Sequence, residues 1–396
     1  VRFVFINRFY WPDEPATAQL LTDLAQALAT AGHSVAVIAS HPGGSIPSTE
    51  IHNGVSILRV RGTRWAHRGI IGKISDFTTF YGGALLRLLM TARKGDIVVA
   101  LTDPPLIGIG AWLVARLRGA RVVHWVQDIY PEIAITLTGH RWLRFIRPLR
   151  NLAWRRAEAC VTLGSDMASV LSAAGVKPHQ LTLIPNWAPA GLAPQPPSAA
   201  DSLRALWGLT GKFVVLYSGN LGRVHDLDPL IDVAEQLRKH DHIALVFVGS
   251  GAQRAALINA TKKLGLTNVH FHPPQPRAEL STSLALGDVH LVTLRPGCET
   301  SVFPSKLYGI AATGRPVLFV GPRDCELAHL IHTHAFGRTF TRDETAALAD
   351  TISTLAIAPL ECARLGRAAE IFVEQSGDAN SAARRWATLA VAIDGA

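Results

Sequence analysis

The sequence predicts an α/β protein made of two doubly wound, parallel-sheet domains in tandem. Three observations predict it. Apolar, β-branched runs alternate with helix-spaced segments in two successive series, a proline-rich passage separates the series, and 396 residues exceed what one core usually holds. Hydrophobic residues make up 48% and charged residues 17%, too apolar a balance for general disorder.

The first series opens with Val1–Ile6, an apolar run read as a buried strand. Residues 16–30 carry leucines at helical spacing (Leu20, Leu21, Leu24, Leu28) and stop at Ala31-Gly32, a helix end signal. Strands follow over Ser34–Ser40 and Asp96–Leu101, the second stopping at Thr102-Asp103-Pro104-Pro105. A helix is expected over 105–118, then a strand over Arg121–Val126, another over Cys160–Leu163, and a helix from Ser165. Pro185, Pro189, Pro194, Pro196 and Pro197 then mark the domain boundary. In the second series, strands are expected over Phe213–Tyr217, Ala244–Val248, Val269–His272, Val289–Leu294 and Pro316–Val320. Helices are expected over 228–239, 252–264, 277–285 and 305–313, and an amphipathic helix over about 379–393 closes the chain. The organisation predicted is 1–190, 198–375, and a terminal helix within 376–396 crossing back to the first domain. Ligands of such sheets bind beyond the carboxyl ends of the strands, so two sheet edges would face an interdomain cleft.

Charge separates the halves. Residues 1–200 carry 20 Lys and Arg against 11 Asp and Glu, whereas residues 201–396 carry 19 of each. A basic first half suits an anionic partner: a membrane surface or a phosphorylated substrate. No nucleic-acid-binding motif is present, so nucleic acid is not expected as a partner. Arg141, Arg144, Arg147 and Arg150 recur every three residues among Trp142, Phe145, Leu149 and Trp154, the composition of an interfacial membrane helix; a buried core helix is the alternative. Pro148 would kink or split it. Residues 69–92 offer a second membrane-facing patch or a second core helix. No stretch of about 18 charge-free apolar residues occurs, against a conventional spanning helix, and the first six residues are too short a run for a signal peptide. Cys160, Cys298, Cys325 and Cys362 lie far apart and read as reduced thiols.

The loops after strands carry the chemistry. The strand ending at Tyr217 runs into Ser218-Gly219-Asn220-Leu221-Gly222-Arg223, where glycines permit close backbone approach and Arg223 brings a cation suited to a phosphate, or else to a surface salt bridge. The strand ending at Leu294 runs into a loop with Glu299, Thr300 and Ser301, then Ser305 and Lys306 at a helix start. Amides there and the Lys306 charge suit a diphosphate; an exposed first-turn lysine is the alternative. Asp226-Leu227-Asp228 sits at a helix start, where carboxylates are favoured without any metal. Gly249-Ser250-Gly251 is half of a dinucleotide fingerprint and lacks its third glycine.

Taken in order, Asn7-Arg8-Phe9-Tyr10-Trp11-Pro12, Gln127-Asp128-Ile129-Tyr130-Pro131-Glu132, Ile184-Pro185-Asn186-Trp187, Tyr217 to Arg223, Phe247-Val248-Gly249-Ser250-Gly251 and Pro304-Ser305-Lys306-Leu307-Tyr308-Gly309 with Gly314-Arg315-Pro316-Val317 resemble the GT-B glycosyltransferases of family 4. The resemblance is strongest to the colanic-acid and O-antigen branch, with its fucosaminyl-transferase-like members. It spans nearly the whole chain and is specific for the family rather than for a substrate. It implies retaining, metal-independent transfer of a hexosyl-type sugar from a nucleoside diphosphate, with no cofactor beyond that co-substrate. It implies a lipid-diphosphate-linked glycan acceptor and a cytoplasmic enzyme held peripherally at the inner membrane face for polysaccharide assembly. Arg223 and Lys306 would stabilise the leaving diphosphate. Gly219, Asn220, Gly222 and Ser305 would line the phosphates. Thr300 and Ser301 would lie near the sugar, Glu299 would bind the donor in place of the first of the family's two glutamates, and Gln275 would meet the base. Asp128 would accept the acceptor's proton or orient it, a turn aspartate being the alternative reading. Arg8, Tyr10 and Glu132 would be acceptor-side. The family commonly has two glutamates eight positions apart around this helix start, where this chain has Ser301 and Gly309. A hydrolysing epimerase-type enzyme and a catalytically silent nucleotide-sugar-binding scaffold are the competing readings.

Overall fold

The computed structural model describes residues 1–65 and 69–395. The chain divides into two compact units: Val1–Asn186 with Thr300–Phe303 and Gly377–Ala396, and Trp187–Glu299 with Pro304–Ser376.

The first unit holds an eight-stranded sheet. Its strands are β1 (Arg2–Ile6), β2 (Ser34–Ser40), β3 (Thr49–His52), β4 (Val55–Val60), β5 (Ile97–Ala100), β6 (Arg121–Val126), β7 (Ala159–Thr162) and β8 (Leu181–Leu183). The order is β3-β4-β2-β1-β5-β6-β7-β8, and every pairing is parallel except β3 with β4. Strands buried on both faces read as continuous apolar runs, and Phe3, Val4, Phe5 and Ile6 are all fully buried. The β3–β4 hairpin lies outside the predicted elements. Its Asn53-Gly54 turn, with both residues at positive φ (47° and 79°), was nonetheless written in the sequence.

Two more pieces complete this unit. Asp378 accepts the Ser381 amide at 2.8 Å and starts the helix Ala379–Asp394. That helix lays Trp386 against Phe5 and Trp125, at 6.2 and 5.4 Å between ring centres. Burying such a ring contributes on the order of 3–5 kcal/mol. Thr300–Phe303 is a four-residue segment whose Val302 forms an antiparallel bridge with Asp128. Its Ser301 carbonyl accepts the Ile129 amide at 2.9 Å. Phe303 packs on the cluster of Val126, Ile129, Trp154 and Met167.

The predicted helix around Arg141–Arg156 is two elements, a 3-10 helix Arg141–Ile146 and an α-helix Arg147–Arg156 with Pro148 in its first turn. Proline is tolerated there because its missing amide would have no partner. In the helix Ile70–Thr91, Phe80, Ala84 and Leu88 enter the core, while Ile71, Ile74, Leu86 and Met90 are exposed on other faces. Among the described residues no single helix is long and apolar enough to cross a membrane.

The second unit holds six parallel strands: β9 (Phe213–Ser218), β10 (Ile243–Val248), β11 (Val269–His272), β12 (Val289–Thr293), β13 (Val317–Val320) and β14 (Gly337–Phe340), in the order β11-β10-β9-β12-β13-β14. β9 is central, so the loop after it sits over the middle of the carboxyl edge. The core includes Val215, Tyr217, Leu245, Phe247, Leu291 and Leu318. Several helices are shorter than the sequence spacing predicts because their ends tighten into 3-10 turns, as at Leu237–Lys239 and Arg277–Glu279.

Candidate functional site

In the second unit the glycine loop after β9 is laced to the loop after β10. The Gly219 amide donates to the Val248 carbonyl at 2.9 Å and the Leu221 amide to the Ser250 carbonyl at 2.8 Å. Gln253 Nε2 donates to the carbonyls of Gly222 and His225 at 2.6 and 2.9 Å. Gly249 and Gly251 have φ of 151° and 149°, and a Cβ on either would collide with the backbone of Gly219 or Leu221. These glycines serve loop-to-loop approach rather than a dinucleotide.

Lys306 opens the helix Lys306–Ala312, preceded by Ser305. Its ammonium is buried and has no hydrogen-bond partner among the described residues. Nζ lies 3.6 Å from the centre of the Tyr217 ring. Cε and Nζ lie 3.3 Å from where a Cβ on Gly219 would stand. Burial pushes this lysine down to about 7. Arg223 and Asn220 are exposed beside the same loop, and the Arg223 guanidinium makes no hydrogen bond or ion pair among the described residues. A buried, unpaired ammonium is costly unless an anion joins it, so the Gly219–Arg223 loop with Lys306 is shaped for an anionic group.

Other donor-side expectations meet a different arrangement. Glu299 folds back on its own loop and accepts the Gly297 amide at 2.6 Å. Ser301 is 1% exposed and belongs with Thr300 to the first unit, where its carbonyl accepts the Ile129 amide. Gly309 is buried against Leu192, Pro189 and Leu284, at 3.5 to 3.8 Å from its Cβ position. An apolar wall there would strand a carboxylate, which explains a glycine at that position. Gln275 follows β11 and bonds the Pro273 carbonyl at 3.0 Å. Asp226 is buried between Arg342 and Arg295, at 3.5 and 4.0 Å. Among the described residues no group of three or more His, Cys, Asp or Glu is arranged to hold a metal ion.

In the first unit Asp128 follows β6, and its amide donates to Thr102 Oγ1 at 3.1 Å. Burial first, and the Asp103 carboxylate second, push its carboxyl up to about 7. A cavity is lined by Leu106, Ile109, His124, Asp128, Tyr130 and Trp154, among others. Burial pushes His124 down to about 4, so this imidazole is neutral at physiological pH. Leu106 holds a left-handed φ of 68° at the cavity, a conformation leucine rarely adopts. Asp103 was missed in the sequence, although it stands just beyond a strand end as the other candidates do.

The residues expected on the acceptor side have partners or burial within the first unit. Arg8 is committed to Asp103, with Nε 3.0 Å from Oδ1, and lies over the rings of Phe9 and Phe77. Tyr10 is 1% exposed, a core residue whose phenol burial raises well above its ordinary range. Glu132 pairs with Arg147 at 3.1 Å and Arg150 at 2.5 Å. Arg150, in turn, is buried, bonds the Tyr130 carbonyl at 2.8 Å and stacks on Trp154 at 4.0 Å. It is therefore a structural cation under the Asp128 loop, not part of a membrane face. Arg141, Trp142, Arg144, Phe145 and Leu149 are exposed, with Phe145 at 81% and Trp142 at 62%.

Comparison with known proteins covers both units. Residues 17–187 match the family described as "Glycosyl transferase 4-like domain", and residues 201–372 match "Glycosyl transferases group 1". The chain is 29% identical over 301 residues to "Probable glycosyltransferase WbjE" of Pseudomonas aeruginosa, covering 74% of this chain and 73% of that one. It is 25% identical over 345 residues to "Putative colanic acid biosynthesis glycosyl transferase WcaI" of Escherichia coli (strain K12), covering 82% and 84%. Its fold is similar to that of Anabaena Alr3699/HepE, solved in complex with UDP-glucose, with a TM-score of 0.76, 16% identity and 100% of each chain covered.

Proposed function

Because this chain belongs to the family 4 glycosyltransferases, with their GT-B fold, we propose that it moves a hexosyl-type sugar from a nucleoside diphosphate to a lipid-diphosphate-linked glycan during bacterial surface polysaccharide assembly. Transfer proceeds with retention and without a metal or other cofactor. The observation that carries the reading is the Lys306 ammonium, buried without a hydrogen-bond partner among the described residues, beside Gly219 at the carboxyl edge of the β9 sheet. A diphosphate is the anion that answers it, and the charge that builds on the leaving group answers it better still. Arg223 adds a second, exposed cation, and the Gly219–Gly222 backbone lets the phosphates approach. Asp128, with a carboxyl that ionises near neutral pH, accepts the proton of the acceptor hydroxyl. The bound UDP-glucose of HepE supports a nucleotide-sugar donor, the name of WbjE supports glycosyl transfer, and the name of WcaI supports the polysaccharide setting.

The test is thermal shift against UDP, GDP, dTDP, ADP and CMP, without metal and then with Mg²⁺. A ligand at 100 times its dissociation constant adds about 2.7 kcal/mol. One nucleoside diphosphate is expected to raise the melting temperature equally with and without Mg²⁺, and Lys306→Ala to reduce the rise without abolishing it. A second reading, a silent nucleotide-binding scaffold, is favoured by the absence of carboxylates at Ser301 and Gly309. It requires the same thermal shift with no turnover of any donor sugar, whereas no shift with any nucleotide would overturn both.

The same proposal places the enzyme peripherally on the cytoplasmic face of the inner membrane. The exposed rings of Trp142 and Phe145 among Arg141 and Arg144 have the chemistry of an anionic bilayer's interface. Replacing Trp142, Arg144 and Phe145 together by alanine is expected to weaken binding to anionic liposomes at least tenfold, since each arginine near such a surface contributes about 1 kcal/mol. Liposome flotation giving wild-type binding would return this surface to the role of a solvated face.

A further inference from the structure

One side chain beside the Lys306 ammonium can answer its charge. Nζ stands 3.6 Å from the centre of the Tyr217 ring, and no acceptor reaches it among the described residues. Tyr217 is itself fixed. It is fully buried at the end of β9, with its ring 5.9 Å from that of Phe247, and its hydroxyl donates to the Asn220 carbonyl at 2.9 Å. One residue thus touches the cation through its face and the glycine loop through its hydroxyl. The titratable groups set around Lys306 are Tyr217, His225 and His290. Burial pushes both imidazoles down to about 3, so neither competes as a cation, and His225 Nδ1 is already bonded to the Thr293 carbonyl at 2.7 Å.

We propose that Tyr217 is a positioning residue for Lys306: its ring face holds the ammonium charged and directed at the Gly219–Gly222 loop before the donor arrives, while its hydroxyl fixes that loop through Asn220. A cation over an aromatic face is attracted by the ring's quadrupole, most strongly where water is excluded. That attraction favours the charged form and opposes the burial that pushes Lys306 towards neutrality. The inference rests on the donor-site reading of Lys306 for its meaning, but the contact itself is testable without any donor.

Truncation at a core position risks unfolding, so the test keeps the ring's shape. Tyr217→Phe is made first, then progressively fluorinated phenylalanines are installed at the same position, which drain the ring's negative face at nearly constant volume. The 13Cε signal of Lys306, assigned with Lys306→Arg in lysine-labelled protein, is titrated by NMR without ligand. Tyr217→Phe is expected to titrate close to wild type, and the fluorinated series to fall stepwise, reaching about a tenfold change in the ammonium's dissociation constant. The basic limb of kcat/KM should move to lower pH in the same order. A titration midpoint unmoved by fluorination would overturn the proposal. A midpoint that falls stepwise upholds the ring–cation contact even if nucleoside-diphosphate binding stays constant across the series, and that constancy would overturn the donor reading of Lys306 instead.

Discussion

Lys306→Ala is expected to lower kcat by about 100-fold or more, with a far smaller change in KM for the donor. The leaving diphosphate gains negative charge as the glycosidic bond stretches, so a cation beside it is worth more in the transition state than in the ground state. Two features would make Lys306 effective in this proposed role. Its ammonium is buried, where screening by water and salt is weak, and among the described residues it has no hydrogen bond to give up. Arg223 is exposed and more strongly screened, so Arg223→Ala is expected to cost less, about tenfold or 1.4 kcal/mol. Steady-state kinetics with the nucleotide found by thermal shift decide this. Wild-type kcat in Lys306→Ala would remove the lysine from the mechanism.

The second large effect belongs to Asp128. Asp128→Asn is expected to lower kcat/KM about 100-fold near pH 7 by removing a general base. The pH profile carries the sharper signature. Asp128 accepts a proton only when ionised, and its carboxyl is pushed up to about 7, so activity should rise with pH through that value. Lys306 acts only when charged and is pushed down to about 7, so activity should fall as pH rises further. The free enzyme's kcat/KM should therefore be a narrow bell centred near neutrality. In the profile of kcat the basic limb should move up, because bound diphosphate favours the charged lysine. The acid limb should vanish in Asp128→Asn. An acid limb that survives unchanged would give the proton to the leaving phosphate itself.

What the sequence made legible follows its physics. Strands buried on both faces, such as Val35–Ala39 and Val214–Tyr217, leave continuous apolar runs, and their carboxyl ends direct attention to the loops where Lys306, Arg223 and Asp128 stand. The helix Ala16–Thr30 was legible to the residue because leucine spacing and a glycine both mark its course. Positions whose meaning lies in a distant partner were not legible. Arg150 looks like its neighbours in a repeating series, and only the fold turns it inwards to Glu132. Arg8 follows a strand like the site residues, yet Asp103 takes its charge. Tyr217 reads as one more apolar strand residue, since nothing in sequence shows that a lysine 89 positions later will lie on its ring. Thr300–Phe303 is too short to carry any period, so its membership of the first unit leaves no local trace.

That last segment bears on how such enzymes can be recombined. Exchanging residues 187–376 for those of a relative with another donor looks like a clean swap of one module. It would import a foreign strand partner for Asp128 and a foreign side chain in place of Phe303, disturbing the proposed proton acceptor while aiming only at sugar choice. A graft that respects the fold keeps Thr300–Phe303 native. Its junctions fall at Asn186/Trp187, Glu299/Thr300, Phe303/Pro304 and Ser376/Gly377, so the transplanted part is two fragments threaded around a resident tetrapeptide.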